Sequence, residues 1–375
     1  MNIRIWALAG CLLPLAVHAQ EQFTVIKDNP ATTVKSQART NTCWSYSTVA
    51  MLEGECLKNN NTPQDVSEMY IVRNIYIEKA KNYMLRLGFD RFDEGGMGHD
   101  AIRAIDQYGA VPESVYPALK PGAREHDHST LAPMLKKYLD SILKTTPPIA
   151  PNWIDGFTRL LDEALGGASF PGPNSFFEYQ GKQYTPKTYA RNVLKFDISD
   201  YAFFTSFTHK PFNRFMVVEV PDNFSNGQYF NVPLDELMKI AEKTVTKGHH
   251  FLWDADVSNP GFGREGYGLF IDNALPAGST DLDVPEKTYS AEMRQQLFET
   301  LVTQDDHLMN VTGIVTTDKG KKMFKVKNSW GDKRGPYNGY WYVSFPYFAI
   351  NTITIVVPKK ALDLGTKLKY NVSPY

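Results

Sequence analysis

The hydrophobic pattern of this chain changes its period partway along, and that change limits what it can fold into. Up to about residue 145, apolar side chains recur at spacings of three and four, as in Tyr46, Val49, Leu52 and Cys56. This predicts helices over 43–58, 67–80, 100–108 and 130–145, with Ser67 as a cap and Gly109 as a stop. After Tyr201 the apolar runs become short, β-branched and aromatic, and 215–220, 313–317, 324–327, 340–343 and 352–357 read as strands. Between them, Thr145 to Thr188 is rich in Pro, Gly and aromatic residues, and reads as an insertion of irregular segments. Helices first and strands later predict an α+β protein with a helical half and a sheet half. A cleft between two such halves is a common place for an active site.

The first 19 residues read as a removable leader: Arg4, a mostly apolar run from Ile5 to Val17, and a small residue, Ala19, before Gln20. That predicts export, to a periplasm or to the medium. Leu8-Ala9-Gly10-Cys11 offers a competing reading as a lipidation box on Cys11. No later run is long and apolar enough to span a membrane. The net charge is −1, and loss of Arg4 would make it −2, with no concentrated basic face; nucleic acid is therefore not an expected partner. A hydrophobic content of 42% and an aromatic content of 13% exclude a disordered chain.

The cysteines carry more information. Apart from Cys11 there are only Cys43 and Cys56, on one predicted helix, roughly 20 Å apart along its axis at ~1.5 Å per residue. They cannot bridge one another there, so at least one thiol stays free in an oxidising compartment. Cys43 falls at the expected helix start, where partial positive charge favours a thiolate. His307 precedes an apolar run that reads as a strand, and Asn328 follows in Lys327-Asn328-Ser329-Trp330-Gly331. An Asn side chain can fix the tautomer of an imidazole and leave its other nitrogen facing a thiol, and a neighbouring Trp can cover that bond. Gln37, six residues before Cys43, has an amide suited to an oxyanion.

These blocks resemble the active-site segments of the papain-like cysteine peptidases: Gln37 to Tyr46 (QARTNTCWSY), Asp306-His307, and Lys327 to Gly331. The resemblance implies a two-part fold with Cys43 as nucleophile, His307 as general acid and base, and Asn328 as the orienting residue. Gln37 and the Cys43 backbone N–H would form the oxyanion hole, and Trp330 would shield the His–Asn bond. Asp306 would play a secondary part beside the histidine. Gly95-Gly96 resembles the pair whose backbone meets bound peptide. Ser67 to Asn74, Glu94-Gly95-Gly96, Tyr108 to Pro112, Asn231-Val232-Pro233 and Val356 to Lys360 are closer to one branch, the bleomycin hydrolase/aminopeptidase C peptidases. That branch carries an insertion, which fits the separation of Cys43 and His307. Papain has a cysteine three positions before its nucleophile, where this chain has Thr40.

On this reading residues 1–19 are the leader and 20–375 one peptidase domain. Its helical half covers about 36–200, with the insertion near 120–190, and its antiparallel β half covers about 201–375. The expected activity is peptide-bond hydrolysis through a thioester, most simply by an aminopeptidase, with no metal or organic cofactor. The expected partners are peptide substrates, and the branch is often hexameric. An aminopeptidase of this branch places its C-terminal tail in the cleft, so the carboxylate of Tyr375 is a candidate partner for a substrate ammonium. An open-cleft endopeptidase and a catalytically dead binding protein are the rivals. Elsewhere, Cys56 reads as a core residue, His249-His250 as a loop entering a strand, and His126 and His128 as part of a solvated loop.

Overall fold

The computed structural model describes residues 23–60, 62–167, 171–279 and 281–372; the expected leader, Cys11 and Tyr375 lie outside them. A short strand, β1 (Thr24–Asp28), is followed by the helices α1 (Cys43–Asn60), α2 (Glu68–Leu85), α3 (Gly98–Tyr108), α4 (Leu131–Leu143) and α5 (Trp153–Ala164). A hairpin of β2 (Phe177–Tyr179) and β3 (Lys182–Tyr184) then leads into α6 (Pro186–Asn192). The remainder holds β4 (Tyr201–Thr205), β5 (Arg214–Val217), β6 (Gln228–Asn231), α7 (Leu234–Thr246), β7 (Phe251–Ala255), β8 (Phe262–Gly263) and β9 (Tyr267–Gly268). It closes with α8 (Ala291–Glu299), β10 (His307–Thr316), β11 (Lys322–Lys327), β12 (Tyr340–Ser344), α9 (Phe345–Asn351), β13 (Thr352–Pro358) and α10 (Leu364–Val372).

Local chemistry sets the helix boundaries. Ser67 Oγ accepts the Tyr70 N–H at 3.1 Å and so caps α2. At Gly109, φ is 84°, and an added Cβ would lie 2.2 Å from the Pro186 carbonyl carbon, so only glycine ends α3 this way. α1 is more enclosed than its sequence period implies. Trp44, Val49, Met51, Leu52 and Cys56 are each at most 3% exposed, so this helix is wrapped on all sides rather than half-exposed. Each such large apolar side chain contributes about 1.5–3 kcal/mol by burial, which fixes α1 as the central post of the helical half.

The segment expected to be irregular is partly helical. Phe157 and Leu161, one turn apart on α5, are fully buried against α4, and Arg73 ties α5 to α2 through a two-pronged bond to Asp162 (2.5 and 2.9 Å). The flanking Pro and Gly residues hid this pair from a reading by composition.

The sheet has eleven strands in the order β5-β6-β4-β13-β7-β10-β11-β12-β9-β8, with β1 pairing to β10. It is mostly antiparallel, as the sequence predicts, and only β4 with β6 and β12 with β9 run parallel among the described strands. The strand expected at 313–317 begins at His307 instead. Alternate residues of the central strands face opposite ways. Leu252, Leu308 and Val356 join the core around α1, and Phe251, Trp253, Met309 and Val311 join the core around α7. Two-sided burial is why adjacent positions of β10 are apolar, as in Leu308-Met309 and Ile314-Val315. α1 packs against β10 and β7, which brings the start of the helix to the start of the strand.

Candidate active site

Cys43 is the first residue of α1 and His307 the first of β10, and both line one cavity of about 250 Å3. Gln37, Gly95, Gly96, Asp222, Asp305 and Leu308 contribute to the same lining. The first-turn amides of a helix have no acceptor within it, so the Cys43 N–H is available to a ligand. Asn328, at the end of β11, accepts the His307 Nε2–H at 2.8 Å through Oδ1, and the same oxygen takes the Ser329 N–H at 2.7 Å. An amide oxygen only accepts, so the proton sits on Nε2 and Nδ1 is left with its lone pair. The Trp330 indole stacks on the imidazole, with centroids 4.9 Å apart.

Gln37 is carried on a segment laid along the other side of the site. Its N–H donates to the Ser329 carbonyl at 2.8 Å, and the Gly331 N–H donates to the Lys35 carbonyl at 3.1 Å. Its side chain is pinned as well: Oε1 accepts from Ser329 Oγ at 2.5 Å, and one amide proton goes to the Thr40 carbonyl at 2.6 Å. The second amide proton remains for a ligand. Thus the residues around Asn328 hold both His307 and Gln37.

At Gly95 and Gly96 the backbone approaches neighbouring groups closely. A Cβ on Gly95 would fall 2.0 Å from Asp222 Oδ2, and one on Gly96 would meet the Trp44 ring at 3.0 Å. Their loop is held by Trp44 Nε1, which donates to the Glu94 carbonyl at 3.1 Å, and by Lys79, which donates to the carbonyls of Asp93 and Gly95. Asp306 lies at the rim, where Oδ2 accepts the Val257 N–H at 3.2 Å.

Burial raises the cost of charge here. Desolvation pushes the Cys43 thiol up to about 12, helped by Asp222, Asp254 and Asp305 and opposed by the Leu308 N–H. Desolvation pulls the His307 imidazole down to about 4, against the Asn328 hydrogen bond. Each group alone therefore prefers its neutral form, and no hydrogen bond joins the two among the described residues. Moving the thiol proton to Nδ1 would conserve net charge within the cavity.

One side of the cavity is acidic. Asp93, Asp222, Asp305 and Asp306 line it with a single cation, Arg91, which reaches Asp93 at 2.9 Å and Asp222 at 3.5 Å. Burial raises the Asp305 carboxyl to about 7, helped by the charge of Asp222, and burial raises Asp254 well above the usual carboxylate range, helped by the charge of Asp305.

One expectation needs correction. His128 is not solvated: it is buried and hydrogen-bonds Glu94, whose other oxygen accepts the Asn41 N–H at 2.8 Å. This pair braces the segment between Gln37 and Cys43, and no spacing in the sequence links residues 94 and 128. The described part of the C-terminal tail lies away from the cavity, and Tyr375 is outside the described residues. Tyr370 of α10 packs against Phe204, Phe215 and Phe230 on the α7 face, and Lys369 pairs with Glu236. Cys56 is buried and unbridged, and His249 and His250 are buried beside β7. No cluster of ligating side chains able to hold a metal occurs among the described residues.

The two-part fold, with a helix N-terminus set against the start of a central strand, is that of the papain-like peptidases. A crystal structure of PepW from Lactobacillus rhamnosis HN001 superposes with a TM-score of 0.73 at 19% identity, covering 93% of this chain and 84% of that one. Aminopeptidase C of Listeria monocytogenes serovar 1/2a is 25% identical over 383 residues, which is 91% of this chain and 83% of that protein. Aminopeptidase G of Lactobacillus delbrueckii subsp. lactis is 24% identical over 375 residues, 89% of this chain and 82% of its own length. The model of the Peptidase C1-like family matches residues 175–375, just over half of the chain, and the chain belongs to that family. It is a cysteine peptidase of the bleomycin hydrolase/aminopeptidase C branch.

Proposed function

We propose that the protein is an exported aminopeptidase in which Cys43 is the nucleophile, His307 the general acid and base, and Asn328 the residue that holds the histidine. The observation that carries this reading is the shared cavity: a thiol at a helix N-terminus beside an imidazole whose Nε2 is occupied by Asn328 at 2.8 Å. His307 Nδ1 takes the thiol proton, and the sulfur attacks the substrate carbonyl. The oxyanion is met by the Cys43 N–H and the free amide proton of Gln37. The imidazolium then protonates the leaving amine, and water cleaves the thioester with His307 as base.

Support for removal of single N-terminal residues comes from two sources. The relatives named above are aminopeptidases. In this chain, Asp222 lies against Gly95, and Asp93 and Asp306 line the same cavity, so an ammonium would be favoured there. A cation there would also offset the carboxylate field that raises the Cys43 thiol. Export rests on Arg4, the apolar run to Val17 and Ala19; an exported chain beginning at Gln20 is the expected product.

The test compares a peptide bearing a free N-terminus with its N-acetylated twin under reducing conditions, using the wild type and Cys43→Ala. The expected result is cleavage of the free peptide alone, abolished in the variant. Equal cleavage of both peptides would make the enzyme an endopeptidase, and activity surviving in Cys43→Ala would remove the assigned nucleophile.

A further inference from the structure

Trp330 and the two residues flanking Gln37 line a second and larger cavity, of about 620 Å3. Its walls include Ser36, Ala38, Trp330 and Trp341, and its rim carries Arg264 and Arg334. Among the described residues no carboxylate lines it, in contrast to the acidic cavity around Cys43. Both arginines are exposed, and neither is ion-paired among the described residues. Glu265 and Asp332 lie next to Arg264 and two residues before Arg334 in the sequence, yet neither pairs with them.

The chemistry gives this cavity a direction. His307 must deliver its proton to the leaving amine, so the leaving portion of the substrate passes the imidazole. Trp330 covers that imidazole and also walls the larger cavity. Residues on the leaving side therefore enter a space bordered by two unpaired guanidinium groups, which match a carboxylate in shape and charge.

We propose that Arg264 and Arg334 bind a carboxylate at the end of the leaving portion, so that the preferred substrates are short peptides with an unblocked C-terminus. This rests on the peptidase reading above. The two ends of such a substrate would meet opposite fields, acidic beside Gly95 and basic beyond Trp330. An acidic side chain offers the same chemistry as a terminal carboxylate, and the test separates the two.

Binding is measured in the full chain carrying Cys43→Ala, so that nothing turns over. The probes are Leu-Gly-Gly, its C-terminal amide, and Leu-Gly-Asp amide, followed by calorimetry. The free acid is expected to bind roughly tenfold more tightly than the amide. That preference should vanish in Cys43→Ala/Arg264→Ala/Arg334→Ala, and should partly survive when both arginines are lysine. Recovery of tight binding by the Asp-ended amide would assign the site to carboxylates in general, whereas its failure would assign it to the chain terminus. Equal affinity for acid and amide, a preference that persists without the arginines, or no binding of any probe at millimolar concentration would overturn the inference. Preference for the acid in a protein whose wild type hydrolyses nothing would keep the inference and remove the peptidase reading. Hydrolysis without the preference would do the reverse.

Discussion

The Trp330 indole lies on the His307 imidazole with centroids 4.9 Å apart and planes inclined by 27°. Trp341 meets Trp330 edge-on at 5.1 Å, so the cover is itself held in place. The Nε2–Oδ1 bond beneath it is thereby kept dry, and its strength depends on that dryness. Trp330→Ala should lower kcat by roughly 10- to 100-fold through loss of imidazole orientation. Trp330→Phe should keep most of the activity. Equal kcat for the Ala variant and wild type would show that the stack does not orient His307.

As the proposed oxyanion donor, Gln37 would offer its free amide proton where negative charge develops. Gln37→Ala should reduce kcat by about 100- to 1,000-fold, as loss of one oxyanion donor generally does. Binding of uncleaved peptide to the Cys43→Ala background should change little. Steady-state kinetics and calorimetry together check this; a pure KM effect would contradict the assignment.

Glu94 joins the Asn41 N–H to the buried His128, and so braces the segment between Gln37 and Cys43. Glu94→Ala leaves both partners unsatisfied, and should cost about 1–3 kcal/mol of stability and reduce kcat about tenfold. Glu94→Gln retains an acceptor for Asn41 and should fall between. Denaturation midpoints measured beside kcat separate the two effects, and an unchanged kcat in the Ala variant would show that the brace is only structural.

Lys35 lies below the site, 2.8 Å from Glu68, 2.7 Å from Asp65 and 3.3 Å from Glu53. Glu53 and Glu68 are almost fully buried, so removing the shared cation leaves two carboxylates without their partner. Lys35→Met should destabilise the fold by about 3–5 kcal/mol. Urea denaturation checks it, and a loss below about 1 kcal/mol, typical of exposed pairs, would contradict it.

His250 is buried under Gly54, and desolvation pulls its imidazole down to about 4 from 6.5. The unfolded chain therefore binds a proton at this residue before the folded one does. Its contribution is intact above pH 6.5 and is lost as pH falls toward about 4, by on the order of 3 kcal/mol. His250→Gln, which cannot titrate, should lose less stability than wild type over that window. Parallel melting curves for the two proteins from pH 7 to 4 would contradict the expectation.

Much of the candidate site is legible in the sequence because its residues sit in short, local motifs. Cys43 falls where a helical period begins, and Asn328 where a strand ends beside Trp330. The order of helices and strands also made the two-part fold readable. What stayed hidden depends on contacts between distant segments. Asp222 faces Gly95 across 127 positions of sequence, and Glu94 meets His128 from a different loop. α5 was masked by the proline and glycine on either side of it. α7 was overlooked among strands, although Leu237, Ile240, Ala241 and Val245 carry a helical period. The parallel pairing of β4 with β6 is set by how the chain returns to the sheet, and no residue within either strand specifies it.

β1 pairs with the strand that His307 begins, Thr24 lying opposite Thr316 and Asp28 opposite Gly313. The Asn29 side chain then donates to the carbonyls of Val245 and His249. The opening of the described chain is thus sewn into the layer that bears the histidine. Proteolytic maturation from the amino end accordingly has a structural limit: a cut upstream of Thr24 spares this seam, whereas one beyond Asp28 would unpick the strand that presents His307.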